Sequence, residues 1–396
     1  MSKNDKSAVI VGAGIAGSSL AFHLVNKGYQ ITLLDENSYK EVEIFHNKAV
    51  EISPHYMLNN PSYNSLMTKA SKFSYELVRG FKFTKKDAMM KGVVKLYDLK
   101  DCEKMLGKIS TFDIEKSAFE YLEPRTIKEK YYVDKKAGIY FKHGGWVSPI
   151  KLCSSLTNDR NINLIPKSKV TKINQKTSSW EIYCENSNRY FAKNLILCNS
   201  TSLNKINLFK DIDLKKNRGQ INWVDRKKNL KHKEIISEKG YLIPDVNGLD
   251  IFGSTYERDN ENKELSNNDY EKNLKTYFKL CGDKFEQNHG LQKGWVGWRA
   301  VTLDRNPYVG KVFADLPDKK NRPYSLDDLN YHPNLFINVG YGSRGYTLAP
   351  FVSKCLASMV DSSQSFEEES ILNFLNPYRS WLKQIGLRKK MLTKYK

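Results

Sequence analysis

The stretch Ala8–Asp35, AVIVGAGIAGSSLAFHLVNKGYQITLLD, constrains the fold more than any other part of the chain. Ala8–Val11 is a short apolar run with β-branched residues, which suits a strand buried on both faces of a parallel sheet. Gly12, Gly14 and Gly17 then complete a G-x-G-x-x-G pattern. The first glycine makes the tight turn, the second lets backbone approach a pyrophosphate, and the third lets the helix pack close on the strand. Ser18–Lys27 predicts that helix, with Leu20, Ala21, Leu24 and Val25 on one face and Gly28 ending it. Ile31–Leu34 predicts the second strand. Asp35 closes it about 20 residues after the glycines, where an acid accepts the ribose hydroxyls of a dinucleotide, with Glu36 as its neighbour. Glycines alone say little; strand, turn, helix, strand and acid in register point to a bound dinucleotide.

The remaining pattern separates the kinds of dinucleotide protein. Tyr63, Leu66, Met67, Ala70, Phe73, Leu77 and Val78 recur at helical spacing and predict a helix over 61–80. Gly92–Tyr97 predicts a strand, Asp101–Lys108 a polar helix, and Lys130–Val133 and Gly138–Phe141 two extended pieces. Ser148 is placed to cap a helix that Pro149 begins. Successive strands are expected over 162–173, 180–184, 190–192 and 195–198, a meander followed by a return strand. That arrangement favours FAD, because an NAD dehydrogenase more often continues with repeated βα units. Strands over 218–224, 241–243, 249–255 and 295–299, with a helix over 268–279, suggest a second sheet. Leu335–Val339 predicts a last buried strand ending in GYGSRGYT, a glycine-rich loop that opens the helix 348–360. Such a loop on a helix N-terminus is an anion or cofactor site.

The fold class expected is therefore α/β: a Rossmann-like FAD-binding domain with an interleaved antiparallel-sheet substrate domain. The expected boundaries are 1–80, 138–215 and 332–375 for the first domain, 81–137 and 216–331 for the second, and 376–396 for a basic C-terminal tail.

Composition narrows the partners. With 64 Lys and Arg against 44 Asp and Glu, the formal net charge is +20, an excess that favours a polyanionic partner. The six cysteines are scattered without a C-x-x-C, which suits reduced thiols in a cytoplasmic protein. The seven histidines are isolated, so no metal is expected. No apolar run reaches the ~18 residues of a membrane span, so no membrane association is expected.

In this order the pieces resemble the D-amino-acid oxidase and glycine oxidase type of FAD-dependent oxidoreductase. GIYFKHGGWVSPIKLC at 138–153, RGQ at 218–220, GYLIP at 240–244, GSTYERD at 253–259, RAVTLDRNPYVG at 299–310, GYGSRGYTLAP at 340–350 and LNPYRSWL at 375–382 look like the oxidoreductase half of the bifunctional tRNA-modifying MnmC family. HNKAVEISP at 46–54 resembles that family's asparagine–basic segment after the second strand, without the glycines usual there. The chain begins at the first strand of the fold, so a stand-alone protein lacking that family's methyltransferase half is expected.

The resemblance implies oxidation of 5-carboxymethylaminomethyl-(2-thio)uridine at the tRNA wobble position. The N-alkylated glycine loses a hydride from its CH2, and water hydrolyses the imine to 5-aminomethyl-(2-thio)uridine and glyoxylate. It implies non-covalent FAD held by Gly12, Gly14, Gly17, Asp35, Glu36, Asn47, Val170, Gly342, Ser343, Arg344, Gly345 and Tyr346. It assigns the substrate carboxylate to Arg299, where a guanidinium forks two hydrogen bonds onto a carboxylate, helped by Tyr241, with Arg344 beside the flavin. No dedicated general base is expected. tRNA is the implied partner, with a separate methyltransferase as a further one, and the C-terminal run Arg379, Lys383, Arg388, Lys389, Lys390, Lys394 and Lys396, with Trp381 and Tyr395, is the densest basic stretch. Three other readings stay open. They are an FAD enzyme of free glycine, sarcosine or D-amino acids, a membrane-surface dehydrogenase using a quinone, and a non-catalytic RNA-binding relic.

Overall fold

A computed structural model describes residues 6–37, 47–109, 111–112, 114–209, 212–226, 232–281, 293–316 and 328–387. Its first sheet has six strands in the spatial order Tyr308–Phe313, Tyr331–Val339, Asn194–Leu197, Ser7–Val11, Gln30–Leu34 and Ile162–Ile165. The last five run parallel, and Tyr308–Phe313 pairs antiparallel at the edge. The chain leaves Ser7–Val11 toward Gln30–Leu34 on one side and returns at Asn194–Leu197 on the other. Strand order therefore reverses beside the first strand, the place where open α/β sheets form a ligand crevice at the carboxyl ends of their strands.

The helices that cover this sheet follow from local chemistry. Pro61–Gly80 starts with Pro61 at its first position, where a missing N–H costs nothing, and Asn60 accepts the Tyr63 N–H at 3.1 Å. Tyr63, Leu66, Met67, Ala70 and Val78 are buried from that start, spaced three and four apart. They meet the helices Ile15–Val25 and Gly345–Val360 in one core that includes Leu20, Leu24, Leu348 and Leu356. Ser148 stands at the start of Pro149–Leu156 as expected, but its side chain makes no capping bond there.

A second sheet of nine strands carries the other half of the molecule. Lys215–Asp225 is its longest strand. It pairs antiparallel with Gly294–Val301 on one side and with Leu249–Gly253 on the other. Tyr241–Val246, Ile235–Ser237 and Val93–Tyr97 continue the sheet, the last two in parallel. A three-stranded meander, Val170–Gln175, Trp180–Cys184 and Arg189–Ala192, packs its inner face on the first sheet. A small sheet joins Val50–Ile52, Gly145–Val147 and Ala88–Met89.

Several local expectations change. Ala137–Phe141, expected with the first sheet, lies between Val93–Tyr97 and Phe119–Leu122 in the second. Tyr308–Phe313 joins the first sheet instead of the second, because Tyr308, Val309 and Val312 bury their side chains there. The segment 130–133 is not extended. Pro124 opens a helix to Tyr131, with Ile127 and Tyr131 buried four residues apart on its inner face. The C-terminal segment is no free tail over 376–387: Tyr378, Leu382, Ile385 and Leu387 are buried against the first sheet, and the Tyr378 ring stacks on Phe313 at 4.2 Å. Arg379 is only 2% exposed, so it is not part of a solvated basic face. Arg388, Lys389, Lys390, Lys394, Tyr395 and Lys396 lie outside the described residues. Among the described residues no helix is long and apolar enough to cross a membrane, and no group of three or more His, Cys, Asp or Glu could hold a metal.

Candidate active site

The crevice beside the first strand has the shape its glycines dictate. Gly12 has φ +101°, and a Cβ there would lie 2.6 Å from the Cys198 carbonyl oxygen. A Cβ on Gly17 would lie 1.8 Å from the Gly12 carbonyl oxygen, so only glycine lets the helix start against the strand. Gly14 has no neighbour within 4 Å of that position and leaves its backbone open to the crevice. The Asp35 carboxylate accepts the Ala13 N–H at 2.6 Å and the Asn37 N–H at 2.9 Å. Burial pushes this carboxyl above the usual range against the pull of those two bonds.

Two cavities meet in this crevice. One, of about 660 Å³, is lined by Gly12, Asp35, Glu36 and Val170 at its far end. The other, of about 430 Å³, runs between the two sheets, where Asn47, Gly342, Ser343, Gly345 and Tyr346 share its wall with Tyr241 and Arg299. Gly14, Cys198, Ser200, Trp295, Gly297 and Trp298 line both. The result is one trough, starting at the acid and glycines and ending at a cation. It fits a dinucleotide whose adenosine end lies by Asp35 and Val170 and whose ring end lies by the glycine-rich loop, and the buried Asn199 Oδ1 on the trough wall has no partner among the described residues. Asp35→Ala should raise the FAD dissociation constant by about tenfold or more, through loss of a charge-assisted bond; the measurement is flavin fluorescence recovered on dilution.

Arg299 sits on Gly294–Val301, directly opposite Asn217 on the neighbouring strand. Its Nη2 donates to Ser254 Oγ at 2.6 Å and its Nη1 to the Thr255 carbonyl at 3.3 Å. No carboxylate pairs with it among the described residues. Gly219 makes room for it: a Cβ there would lie 2.0 Å from Arg299 Nη1. Gly219→Ala should therefore swing the guanidinium out of place and lower kcat/KM by about 10–100-fold with FAD content unchanged, on the scale of a misplaced binding group. Tyr241 lines the same cavity. Burial, with Glu51 adding to it, holds its hydroxyl protonated far above neutrality, and Arg299 only partly offsets this.

Arg344, expected beside the flavin and within reach of the substrate, follows Ser343 and precedes Gly345 on the cavity wall. Arg344 lies with its guanidinium 5.0 Å from the Tyr63 ring, and its side chain does not line the cavity. Instead the structure reveals a polar cluster that sequence reasoning missed. Glu51 and His55 both line the cavity, with Glu51 Oε1 3.2 Å from His55 Nε2. Behind them Lys95 Nζ lies 3.4 Å from His55 Nδ1 and donates to Ser237 Oγ at 3.2 Å. Burial pushes the Glu51 carboxyl up, but Lys95 and His55 outweigh it and bring it to about 2. Burial and Lys95 lower the His55 pKa against the pull of Glu51, and its two ring nitrogens face Glu51 and Lys95. A Glu and a His four residues apart, one on the short strand Val50–Ile52 and one just beyond it, were the only available signal, and nothing local tied them to Lys95.

This architecture is that of the FAD dependent oxidoreductase family designated DAO, whose model matches residues 7–359; the chain belongs to that family and is an FAD-dependent oxidoreductase. Two curated relatives carry the name tRNA 5-methylaminomethyl-2-thiouridine biosynthesis bifunctional protein MnmC. The protein from Legionella pneumophila (strain Corby) is 24% identical over 97% of this chain and 59% of its own length. That from Leptospira interrogans (serovar copenhageni) is 27% identical over 94% of this chain and 60% of its own. The chain thus spans about three-fifths of the curated relatives it matches. Among solved structures, L-proline dehydrogenase from P. horikoshii superposes with a TM-score of 0.75 at 15% identity, covering 96% of this chain and 98% of that one. Glycine oxidase from Geobacillus kaustophilus gives 0.71 at 15% identity, covering 91% and 95%. These likenesses establish the fold.

Proposed function

We propose that this chain oxidises the glycyl carbon of 5-carboxymethylaminomethyl-(2-thio)uridine at the wobble position of tRNA, a CH–NH donor, to yield the 5-aminomethyl form and glyoxylate. The observation that carries the reading is Arg299, a guanidinium without a carboxylate partner among the described residues, at the end of the trough that leads from the dinucleotide-binding glycines. The two MnmC relatives support the substrate class, and the net charge of +20 suits an RNA partner.

The residues divide the work as follows. Arg299 receives the substrate carboxylate through its fork, which fixes the glycyl carbon relative to the glycine-rich loop. Tyr241, protonated, donates to the same carboxylate. Ile15, Ile221 and Trp295 line the cavity and limit water beside the reacting carbon. The amine must enter uncharged, and desolvation in the cavity favours that form without a dedicated base. Bound FAD supplies the acceptor for the hydride and its electron pair. Water then adds to the substrate imine, the C–N bond breaks, and glyoxylate leaves.

Single-turnover flavin reduction without oxygen tests the proposal. Purified protein is mixed with tRNA carrying the modification, and separately with glycine, sarcosine and D-alanine. Bleaching of the flavin by the tRNA with release of one glyoxylate is the expected result. Bleaching by a free amino acid alone would leave a small-molecule amine dehydrogenase in its place.

A further inference from the structure

The mouth of the substrate cavity carries an aromatic ring that the chemistry of a small amino acid does not require. Tyr256 lines the cavity with Arg299, yet it remains 52% exposed. Large aromatic side chains of a folded protein usually hide more of their surface than this. Its position is not loose. Asn217 Nδ2, from the long strand opposite Arg299, donates to the Tyr256 hydroxyl. The Arg299 guanidinium carbon lies 5.9 Å from the ring centroid. The ring is therefore held at one end by Asn217 and flanked by the cation, with the rest of its surface turned to solvent.

Distance decides what could use that surface. In a C5-substituted uridine the carboxyl carbon is separated from the base by four bonds, which extended reach about 5 Å at bond lengths near 1.5 Å. That matches the separation of ring and guanidinium. A carboxylate seated on Arg299 thus brings the base to Tyr256, whereas free glycine bound the same way stops short of it. The trough is also edged with cations. Lys239 is exposed on the Arg299 cavity, and Lys205 and Lys263 are exposed on the adjoining one.

Resting on the function proposed above, we propose that Tyr256 is the stacking platform for the wobble base and that Lys239, with Lys205 and Lys263, receives the flanking phosphates. Aromatic stacking tolerates any base and suits one turned out of an anticodon loop. The lysines supply the salt-dependent, sequence-independent part of the affinity. Specificity for a nucleotide-borne glycine over a free one then resides at the mouth of the cavity, and the carboxylate site is common to both.

The test uses the FAD-loaded full chain, an anticodon stem-loop carrying 5-carboxymethylaminomethyluridine, and the same stem-loop with plain uridine. Equilibrium binding and single-turnover flavin reduction are measured for wild type, Tyr256→Phe, Tyr256→Leu and Lys239→Glu. Tyr256→Leu should weaken binding of the modified stem-loop by about tenfold or more, and kcat/KM for its flavin reduction should fall with it. Tyr256→Phe keeps the ring and should stay close to wild type. Lys239→Glu should weaken both stem-loops alike and flatten the salt dependence. Unchanged binding by Tyr256→Leu overturns the proposal while leaving the substrate assignment intact. Equal losses in Phe and Leu also overturn it, since the hydroxyl bond to Asn217 would then be what matters. A wild-type protein that neither binds the modified stem-loop nor is reduced by it overturns both readings.

Discussion

Arg299→Ala is expected to lower kcat/KM for substrate-driven flavin reduction by about 10³-fold, with FAD content and thermal midpoint close to wild type. The size follows from what the guanidinium does. Truncating one partner of a hydrogen-bonded charge pair in a desolvated site costs about 2–5 kcal/mol, and each 1.4 kcal/mol is a factor of ten. The effect should fall on both binding and rate, because the carboxylate anchor also sets where the glycyl carbon lies. Arg299→Lys keeps the charge but loses the fork, and should recover only part of the activity. Stability should hold because, among the described residues, the side chain bonds only Ser254 Oγ and the Thr255 carbonyl, and Arg299 lies partly exposed in the cavity wall. Stopped-flow reduction under anaerobic conditions, beside the flavin absorbance of each purified variant, separates the two effects. A variant that loses its FAD would place Arg299 in the scaffold.

The parts of this molecule that were legible in the sequence are those whose chemistry is local. Gly12, Gly14, Gly17 and Asp35 lie within one strand–helix–strand unit; Gly12 and Gly17 are required by close backbone approaches, and Asp35 accepts the Ala13 N–H in the same turn. The helix 61–80 was legible for the same reason: Pro61, Asn60 and an apolar stripe lie on consecutive turns. The partition between sheets was not. Gly138–Phe141 read as an extended piece, but a strand's sequence carries no mark of which sheet will receive it, and it joined the second sheet; Tyr308–Phe313 fell within the bounds expected for the second domain and was not read as a strand at all, yet it pairs at the edge of the first sheet.

The candidate site divides along the same line. Arg299 and Tyr241 came from a family resemblance, and the fold brings both to one cavity. Arg344 sits in a loop whose backbone does line that cavity, yet its side chain turns away to the Tyr63 ring, a choice set by packing from the helix 61–80 and invisible in the loop itself. The Glu51–His55–Lys95–Ser237 cluster could not be seen at all. Lys95 and Ser237 become neighbours only because Val93–Tyr97 and Ile235–Ser237 pair in parallel with those two residues in register. The pairing spans 142 positions of sequence, and no local periodicity reports it.

Arg379→Ala is expected to destabilise the protein by about 2–3 kcal/mol, mostly from buried carbonyls left without a donor, since the Asp304 side of the ion pair is 39% exposed and screened by water. Arg379 is 2% exposed and holds the Asp304 carboxylate with two nitrogens, Nε at 2.7 Å and Nη2 at 2.5 Å. The same guanidinium donates to the carbonyls of Asn306, Pro307, Leu375 and Asn376, and it lies 4.4 Å from the Tyr308 ring. Alanine removes all of these donors at once, and water reaches few of the acceptors left behind. The pair also sets a pH dependence. Burial raises the Asp304 carboxyl, but Arg379 outweighs it and lowers the value to about 2. A depressed carboxylate contributes stability that is fully present above its unfolded value near 4 and is lost as pH falls through about 2. Urea midpoints measured from pH 7 down to pH 2 should therefore fall more steeply for wild type than for Arg379→Ala in that window, and the gap between the two curves should narrow toward its acid end without closing, because the bonds to the four carbonyls do not titrate. Asp304 lies three residues beyond the strand that carries Arg299, in the connection to Tyr308–Phe313. The C-terminal segment is thus a clamp between the end of the strand that carries Arg299 and the edge of the first sheet. Loss of flavin reduction in Arg379→Ala at urea concentrations where wild type is still folded and active would show that clamp giving way, whereas matching stability curves would reduce Arg379 to a filler of the sheet edge.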